Sequence, residues 1–335
     1  MEERYLVAAS PHLRDVDDIP RIMWSVVIAL LPATAMGIYF FSLRAVMLIV
    51  FSIAAAVASE AACLAMRKKP LSSVLDGSVV VTGLLLALLL PASTSWYCAV
   101  VGSAFAIAIA KHCFGGLGHN IWNPALAGRV FLQFAYPTEI SLSEWPAPRL
   151  LFNNAASAAD GLTKATPLFK EAPIRSGHLD LFLGNGIGGS LGETCKLALL
   201  VGGLFLIISN RIDWRVPLVY IGTVFVLSIF LPAKGTNPPP WTHDPVYQVL
   251  SGGLFIGAFF MATDMVTTPV TSMGRSIFAA GCGLLVVLIR FYGGYPEGVA
   301  YSILLMNTTT PIIDRYCRPR VYGSRTPKPA PRTTV

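Results

Sequence analysis

The chain has 335 residues, of which 54% are hydrophobic and 13% are charged, and its formal net charge is +7. Soluble domains carry about 25% charged residues, so this composition excludes an ordinary soluble globular protein. A mean hydropathy of +0.62 instead indicates an all-α polytopic membrane protein in contact with lipid, and the basic balance requires no nucleic acid partner because Lys and Arg concentrate in cytoplasmic loops of such proteins.

Apolar segments follow one another along the chain, each close to the ~20 residues that cross a ~30 Å hydrocarbon core as a helix. The fifth is the least regular, because Pro124 and Arg129 interrupt it. No removable signal peptide is expected, since Met23 to Leu43 is long and lacks a small-residue cleavage site. The ten predicted spans are 22–41, 45–66, 74–91, 96–112, 119–136, 194–209, 215–232, 247–266, 275–290 and 297–314.

The distribution of Lys and Arg predicts the orientation of these spans. Basic residues concentrate at both termini and in the even-numbered connections, whereas the opposite short connections hold only Arg44, Lys234 and Arg290. By the positive-inside rule, both termini are expected in the cytoplasm of a multi-pass protein of the cell (inner) membrane. Residues 137–193 are then extracytoplasmic, and the basic, Pro-rich tail 317–335 is expected to be a disordered cytoplasmic end.

A weak internal repeat divides the chain into two halves. Leu75-Asp76-Gly77 opens the third predicted span and Leu250-Ser251-Gly252 the eighth, and an aromatic-Gly-Gly segment follows the next span in each half. Five spans per half is an odd number, so the second half is predicted to run inverted, as in many transporters. The expected units are 1–136, the loop 137–193, 194–316 and the tail 317–335.

Charged residues within or beside the spans are the first candidates for function, because a charge in lipid is costly unless it is paired or lines a pathway. Lys111, Arg290 and Glu297 are expected at helix ends in the headgroup region. Asp264 has no such explanation, and neighbouring hydroxyls could satisfy both it and a ligand. It is therefore a candidate for an ion pathway, with a purely structural role as the alternative. The six scattered cysteines predict no metal site.

The loop between the fifth and sixth spans carries a second candidate, Asp160-Gly161-Leu162-Thr163-Lys164-Ala165-Thr166-Pro167. A hydroxyl there can be esterified, although an isolated Ala-Thr-Pro is also an ordinary turn. Further along, Gly184, Gly186 and Gly189 formally match G-x-G-x-x-G, but a membrane span follows them. A dinucleotide-binding fold needs a strand, helix and strand at this point, so that interpretation fails.

Several motifs in a fixed order now give a specific resemblance. The chain resembles the family that contains the D-type subunit of the Rnf complex, an ion-translocating ferredoxin:NAD oxidoreductase, and is similar to the B-type subunit of the sodium-pumping NADH:quinone oxidoreductase. The matching landmarks are Ser10-Pro11-His12, His119-Asn120-Ile121-Trp122-Asn123-Pro124-Ala125 with Gly128-Arg129, Ala165-Thr166-Pro167-Leu168, Gly189-Ser190-Leu191-Gly192-Glu193, Ala262-Thr263-Asp264, Gly293-Gly294-Tyr295-Pro296-Glu297-Gly298, Met306-Asn307 and Pro311.

The resemblance implies a covalent flavin. In the family, a threonine hydroxyl forms a phosphoester with FMN within D-x-x-[ST]-[GS]-A-[ST]; Asp160, Thr163, Ala165 and Thr166 match this motif, which puts FMN on Thr166. Lys164 departs from the small residue expected at its position. The resemblance also implies two inverted five-helix halves and a second, non-covalent flavin, riboflavin, among the helices.

The implied function is that of a membrane subunit of an oxidoreductase, relaying electrons through FMN while the complex moves Na⁺ or H⁺. Ferredoxin and NAD would be handled by partners, namely other membrane subunits, a second FMN-bearing subunit, and iron–sulfur and NAD-handling subunits. The chain is therefore not expected to be active alone. The alternative is a secondary transporter or channel with the same inverted repeat and no flavin, because fold does not decide function.

Overall fold

The computed structural model describes residues 18–140, 145–146, 163–164, 177–185, 188–231, 244–293 and 297–318, and these are almost entirely helical. The α-helices are α1 (Ile19–Phe41), α2 (Leu43–Met66), α3 (Ser78–Leu89), α4 (Trp96–Phe105), α5 (Pro124–Ala135), α6 (Pro137–Ile140), α7 (His178–Leu183), α8 (Lys196–Ile208), α9 (Arg215–Phe230), α10 (Pro245–Leu250), α11 (Leu254–Ile256), α12 (Ser272–Tyr292) and α13 (Val299–Tyr316). A 3₁₀-helix (Leu71–Asp76) and π-helices (Ala106–His112 and Gly257–Met261) join them.

Three of the described helices are long and apolar enough to cross a membrane, α1, α2 and α12. Shorter apolar helices of 10–17 residues accompany them, at Ser78–Leu89, Trp96–His112, Lys196–Ile208 and Arg215–Phe230. Length and composition thus agree with the predicted class of all-helical membrane protein. The count of ten spans stays a prediction.

Two predicted spans are not continuous helices. The segment predicted as 74–91 consists of the 3₁₀-helix, Gly77 and then α3, and the segment predicted as 247–266 breaks between α10 and α11. Gly77 has a φ of 83° and Gly252 a φ of 69°. Other L-residues adopt this left-handed region only at a cost of roughly 1–2 kcal/mol. These glycines therefore allow the chain to turn between two helical pieces at equivalent points of the two halves.

The fifth span starts later than predicted. Its helix begins at Pro124 rather than at 119, because the side chain of Asn123 caps it by accepting from the backbone N–H groups of Ala125 and Leu126 at 3.1 and 3.4 Å. Proline is well tolerated at the first helical position, where its missing N–H is not needed. Arg129 lies inside this helix and is buried.

The two halves use similar packing partners. α2 packs on α4 as α9 packs on α12, and α4 packs on α5 as α12 packs on α13. Between the halves, α1 lies against α8 and α5 lies against α13. One continuous core of buried apolar side chains runs through both halves.

The segment that enters the second half is fastened to the first. Pro91 and Ser190 form an isolated antiparallel bridge, and the backbone N–H groups of Leu191 and Gly192 donate to the carbonyls of Leu90 and Leu88 at 3.1 and 2.7 Å. These carbonyls at the end of α3 have no intrahelical donor, and lipid offers none. The pairing therefore satisfies backbone groups that would otherwise be orphaned.

Helix α7, which precedes this bridge in the chain, is linked to α10 by a side-chain contact. The ring of His178 bonds the carboxylate of Asp244, which also caps α10 by accepting from the N–H groups of Val246 and Tyr247. Partial burial by itself raises the pKa of Asp244. The bonds from His178 and the two backbone groups outweigh that effect and hold the pKa of Asp244 below its usual value.

Candidate functional site

The predicted flavinylation motif is only partly within the described residues. Asp160, Ala165 and Thr166 lie outside them. Thr163 and Lys164 form a two-residue strand, β2, which pairs antiparallel with β1 (Trp145–Pro146). Thr163 stands opposite Pro146 and Lys164 opposite Trp145. The role of the motif therefore stays a prediction.

Asp264 lies in the loop that follows the second π-helix, and it is half-buried. Its carboxylate accepts from the hydroxyl of Thr267 at 3.2 Å and from the backbone N–H of Val266 at 3.5 Å. Its backbone carbonyl accepts from the hydroxyl of Thr268. The local hydroxyls thus stabilise Asp264 as the sequence suggested. Among the residues that the structure describes, no Lys, Arg or His pairs with this carboxylate as a counter-ion.

A narrow cleft of about 90 Å³ lies in front of Asp264, between the two halves. The amide side chains of Asn120 and Asn123 and the buried Lys111 reach it from the first half. From the second half, Arg211, Phe259, Phe260, Thr263 and Asp264 line it, and most of the remaining lining is apolar. No sequence motif indicates that these segments meet, because they are about 140 residues apart. Asn123 Nδ2 in addition contacts the carbonyl of Met261 at 3.5 Å.

A buried ionic cluster lies beside this cleft. Lys111 Nζ, in the first π-helix, is 2.9 Å from Glu60 Oε1 and donates to Ser78 Oγ at 2.9 Å. His112 Nε2 is 2.9 Å from Glu60 Oε2. The side chains of Lys111 and Glu60 are only 2% and 4% exposed. Lys111 therefore does not reach the headgroups, contrary to the expectation from its place at a helix end.

Arg290 and Arg129 are buried as well. Arg290, in the last turn of α12, donates to the carbonyls of Gln248 and Ser251 at 2.6 and 3.0 Å. Arg129 Nε donates to the carbonyl of Leu89 at 3.1 Å. Both guanidinium groups thus bind backbone carbonyls at the broken ends of helices. The expectation of a headgroup position for Arg290 is wrong, because the break between α10 and α11 exposes carbonyls that need a donor.

A wider groove of about 480 Å³ lies on the outside of α5 and α13. Its walls are almost entirely apolar, and the indole N–H of Trp122 at its rim already donates to Thr308. The rings of Phe105 and Phe131 stack at 4.0 Å along it. This lining is suited to lipid rather than to a polar cofactor.

Apolar helices, helix breaks, and buried charges that bind backbone carbonyls are together typical of an integral membrane protein. The model of the NQR2, RnfD, RnfE family matches residues 6–323, and the chain belongs to that family.

Curated relatives cover nearly the whole chain. The D-type subunit of the Na⁺-translocating ferredoxin:NAD⁺ oxidoreductase complex of Acetobacterium woodii is 45% identical over 325 residues, covering 95% of each chain. The D-type subunit of the proton-translocating ferredoxin:NAD⁺ oxidoreductase complex of Clostridium ljungdahlii is 44% identical, covering 96% of this chain and 97% of the relative. The corresponding subunit of an ion-translocating oxidoreductase complex of Stutzerimonas stutzeri is also 44% identical, with coverages of 91% and 92%.

Proposed function

We propose that this chain is the D-type membrane subunit of an ion-translocating ferredoxin:NAD⁺ oxidoreductase complex, in which it relays electrons through a covalent flavin. The observation that carries the proposal is similarity over nearly the full length to relatives that bear this name. Relatives named for Na⁺ and for H⁺ are equally similar, so the proposal covers either ion. The enzyme activity belongs to the assembled complex, and this chain is inactive alone.

The flavin is FMN, joined through its phosphate to the hydroxyl of Thr166. Asp160, Thr163 and Ala165 complete the motif around it. The donor chemistry suits the group, because a threonine hydroxyl supplies the oxygen that a phosphoester requires. When bound, FMN supplies the redox chemistry, and the protein supplies its attachment and surroundings. Lys164, two residues before Thr166 in the sequence, carries a charge that would suit an incoming phosphate.

A second, non-covalent flavin, riboflavin, belongs to the same proposal. The cleft at Asn120 and Asn123 combines amide groups with the rings of Phe259 and Phe260, which is the lining that a flavin ring requires. Its volume of about 90 Å³ is well below the ≈ 300–1,000 Å³ of ordinary ligand pockets. A cleft of this size does not fit a tricyclic ring.

We further propose two inverted halves, residues 1–136 and 194–316, joined by an extracytoplasmic loop, 137–193, and followed by a cytoplasmic tail, 317–335. Support comes from the equivalent glycine breaks at Gly77 and Gly252 and from the matching helix partners in the two halves. Both termini then lie on the cytoplasmic side of the inner membrane. The other Rnf subunits, membrane-bound and peripheral, supply the iron–sulfur clusters, the second FMN and the NAD site.

Fluorescence of the denatured protein tests the covalent flavin directly. The full-length chain, made together with a functional flavin transferase, is expected to give a fluorescent band under ultraviolet light on a denaturing gel. Thr166→Val removes the ester oxygen while preserving the shape of the side chain, and the band should then lose its fluorescence completely.

Thr138→Val is the matched control, because Thr138 is an exposed threonine of α6 on the same proposed face. Its band should stay fluorescent. A wild-type band without fluorescence, in the presence of active transferase, would favour the alternative of a transporter or channel without flavin.

A further inference from the structure

Two glutamates from different halves of the fold approach each other away from Asp264 and from the loop, Glu193 buried and Glu297 half-buried. Glu297 bonds the backbone of Gly253 within the fold, contrary to the expectation of a headgroup position. Glu193 lies just before α8, and Glu297 lies just before α13. Glu193 Oε1 accepts from the backbone N–H of Ser190 at 2.7 Å, and Glu297 Oε1 accepts from the backbone N–H of Gly253 at 2.5 Å. Each carboxyl group is therefore held in place by one backbone donor.

The two carboxyl groups converge on Gly253. A Cβ built on Gly253 would lie 3.0 Å from Glu297 Oε1 and 3.2 Å from Glu193 Oε2, and one on Gly189 would lie 2.8 Å from Glu193 Oε1. Glycine at both positions leaves the room in which the two carboxyl groups approach each other.

Cations surround the pair without binding its carboxyl oxygens. Among the described ion pairs, none includes Glu193 or Glu297. Lys196 donates instead to the backbone carbonyl of Glu193, and the guanidinium groups of Arg129 and Arg290 are engaged by other carbonyls. All three cations remain within electrostatic range of both carboxyl groups, and Tyr220 remains within range of Glu297.

The chemistry of carboxyl groups decides what holds the pair together. An ionised carboxylate only accepts hydrogen bonds, so two of them cannot bond to each other. Two carboxylates that converge in a largely water-excluded site repel each other, and this repulsion favours the state in which one proton is retained between them. Ser190, 1% exposed, adds a hydroxyl next to Glu193 that has no hydrogen-bond partner among the described residues. This is a donor or acceptor still available to the site.

We propose that Glu193 and Glu297 share one proton and form a proton-binding site at the junction of the two halves. The pair then carries one negative charge, which Arg129, Arg290 and Lys196 stabilise from a distance. The proton passes between two oxygens of equal chemistry, with no bond formed to any other group. The site does not depend on a flavin at Thr166.

Infrared difference spectroscopy of the full-length chain in lipid nanodiscs tests the proposal. At neutral pH the wild-type protein should show the carbonyl stretch of a protonated carboxylic acid, with an intensity of about one group per chain. Labelling glutamate with ¹³C at the side-chain carboxyl should shift that band. This measurement needs no variant, and a band that does not shift, or no band at all, would overturn the proposal.

Substitutions then assign the band. Either Glu193→Gln or Glu297→Gln should abolish it, because the amide donates to the remaining carboxylate, which then stays ionised. Two substitutions of other acids are controls. Glu139→Gln changes a carboxylate that accepts hydrogen bonds from Ser95, and Asp264→Asn changes the acid that lines the cleft. Both should retain the band. A shared proton would be contradicted if the band persisted in both Gln variants. It would also be contradicted if the wild-type band disappeared when the large organic cation of the buffer is exchanged for Na⁺.

Discussion

Lys111 shows how a single charged side chain is stabilised inside this protein. Its ammonium group, 2% exposed, pairs with Glu60 at 2.9 Å and also donates to Ser78. Burying two charges costs desolvation that their attraction only partly offsets, but removing one partner leaves the other charged and unpaired. The cluster is therefore sensitive to the loss of either member.

Lys111→Met should destabilise the protein strongly. Glu60 would keep only the ring of His112 as a neighbour and lose its ammonium partner, and the expected cost is up to about 3–5 kcal/mol. The apparent midpoint of thermal unfolding of the purified chain in detergent measures this loss.

The double variant Glu60→Gln/Lys111→Met is the matched comparison. With both charges removed, most of the lost stability should return. Equal destabilisation of the single and double variants would mean that the packing of Lys111, and not its charge, matters.

The burial of Lys111 could not be predicted from the sequence. The residue ends an apolar segment, which favours a position at the membrane interface. In a regular helix, the direction of its side chain would follow from the period of 3.6 residues per turn. The structure instead has a π-helix at Ala106–His112, whose wider turn changes the direction of the side chains that follow it. Glu60 could be recognised as an intramembrane charge, but its partner could not.

At the scale of the helices, the breaks at Gly77 and Gly252 are the features that the fold has to stabilise with additional contacts. Each separates a short helical piece from the one that enters the core, and each gives up backbone hydrogen bonds that nearby side chains replace. Asp76 accepts from the N–H of Ser78 at 2.8 Å, and Arg290 binds the carbonyl of Ser251. The pattern of glycine plus a polar partner is the same in both halves.

Gly252→Ala should lower stability by roughly 1–2 kcal/mol, because alanine must adopt a positive φ there. The shift in the apparent unfolding midpoint, measured as for Lys111, reports this cost.

Gly222→Ala is the control for this substitution. Gly222 lies within α9, and nothing described lies within 4 Å of a Cβ built on it. Alanine favours helix by ≈ 0.8–1.0 kcal/mol over glycine, so this variant should be as stable as the wild type or more stable. Equal behaviour of the two variants would show that the conformation at Gly252 is not constrained.

Much of the helical framework could be predicted from hydropathy, because long apolar runs leave little alternative in a membrane. The ends are less predictable. The expected start at 119 fails because Asn123 caps α5, and such a cap becomes visible only when the neighbouring backbone is known. The likeness of Leu250-Ser251-Gly252 to the start of the third span coincides with the break in the eighth segment.

For the molecule as a whole, the cleft between the halves is the feature that no local motif predicts. Asn123 belongs to one half and Asp264 to the other, and only the tertiary fold places both on its wall. The Ala262-Thr263-Asp264 motif singles out the acid but not its surroundings. Among the described residues no ion pair includes this carboxylate, and the cations Lys111 and Arg211 line the same cleft. The role of Asp264 in an ion pathway stays a prediction.

Asp264→Asn should reduce ion transport by the assembled complex several-fold, because the amide keeps the hydrogen bond of Thr267 and loses the charge. Transport into proteoliposomes during ferredoxin oxidation measures the effect, and the fluorescence of the Thr166 band should not change.

Asp213→Asn serves as the comparison, since Asp213 is paired with Arg275 at 3.2 Å and does not line the cleft. Its transport should equal that of the wild type. If Asp264→Asn also transports ions at the wild-type rate, Asp264 has a structural role only.

The fastening of Leu191 and Gly192 to α3 has a consequence for variation among related chains. This pairing, together with the link between His178 and Asp244, fixes the chain from α7 to the start of α8 against helices on both sides. The position of α8 is therefore set by contacts after residue 177 and not by the length of the chain before it. Each doubling of the length of a loop costs only about 0.6 kcal/mol in closure entropy, so changes in length between residues 141 and 176, outside the motif at 160–167, should leave the packing of α8 unaltered.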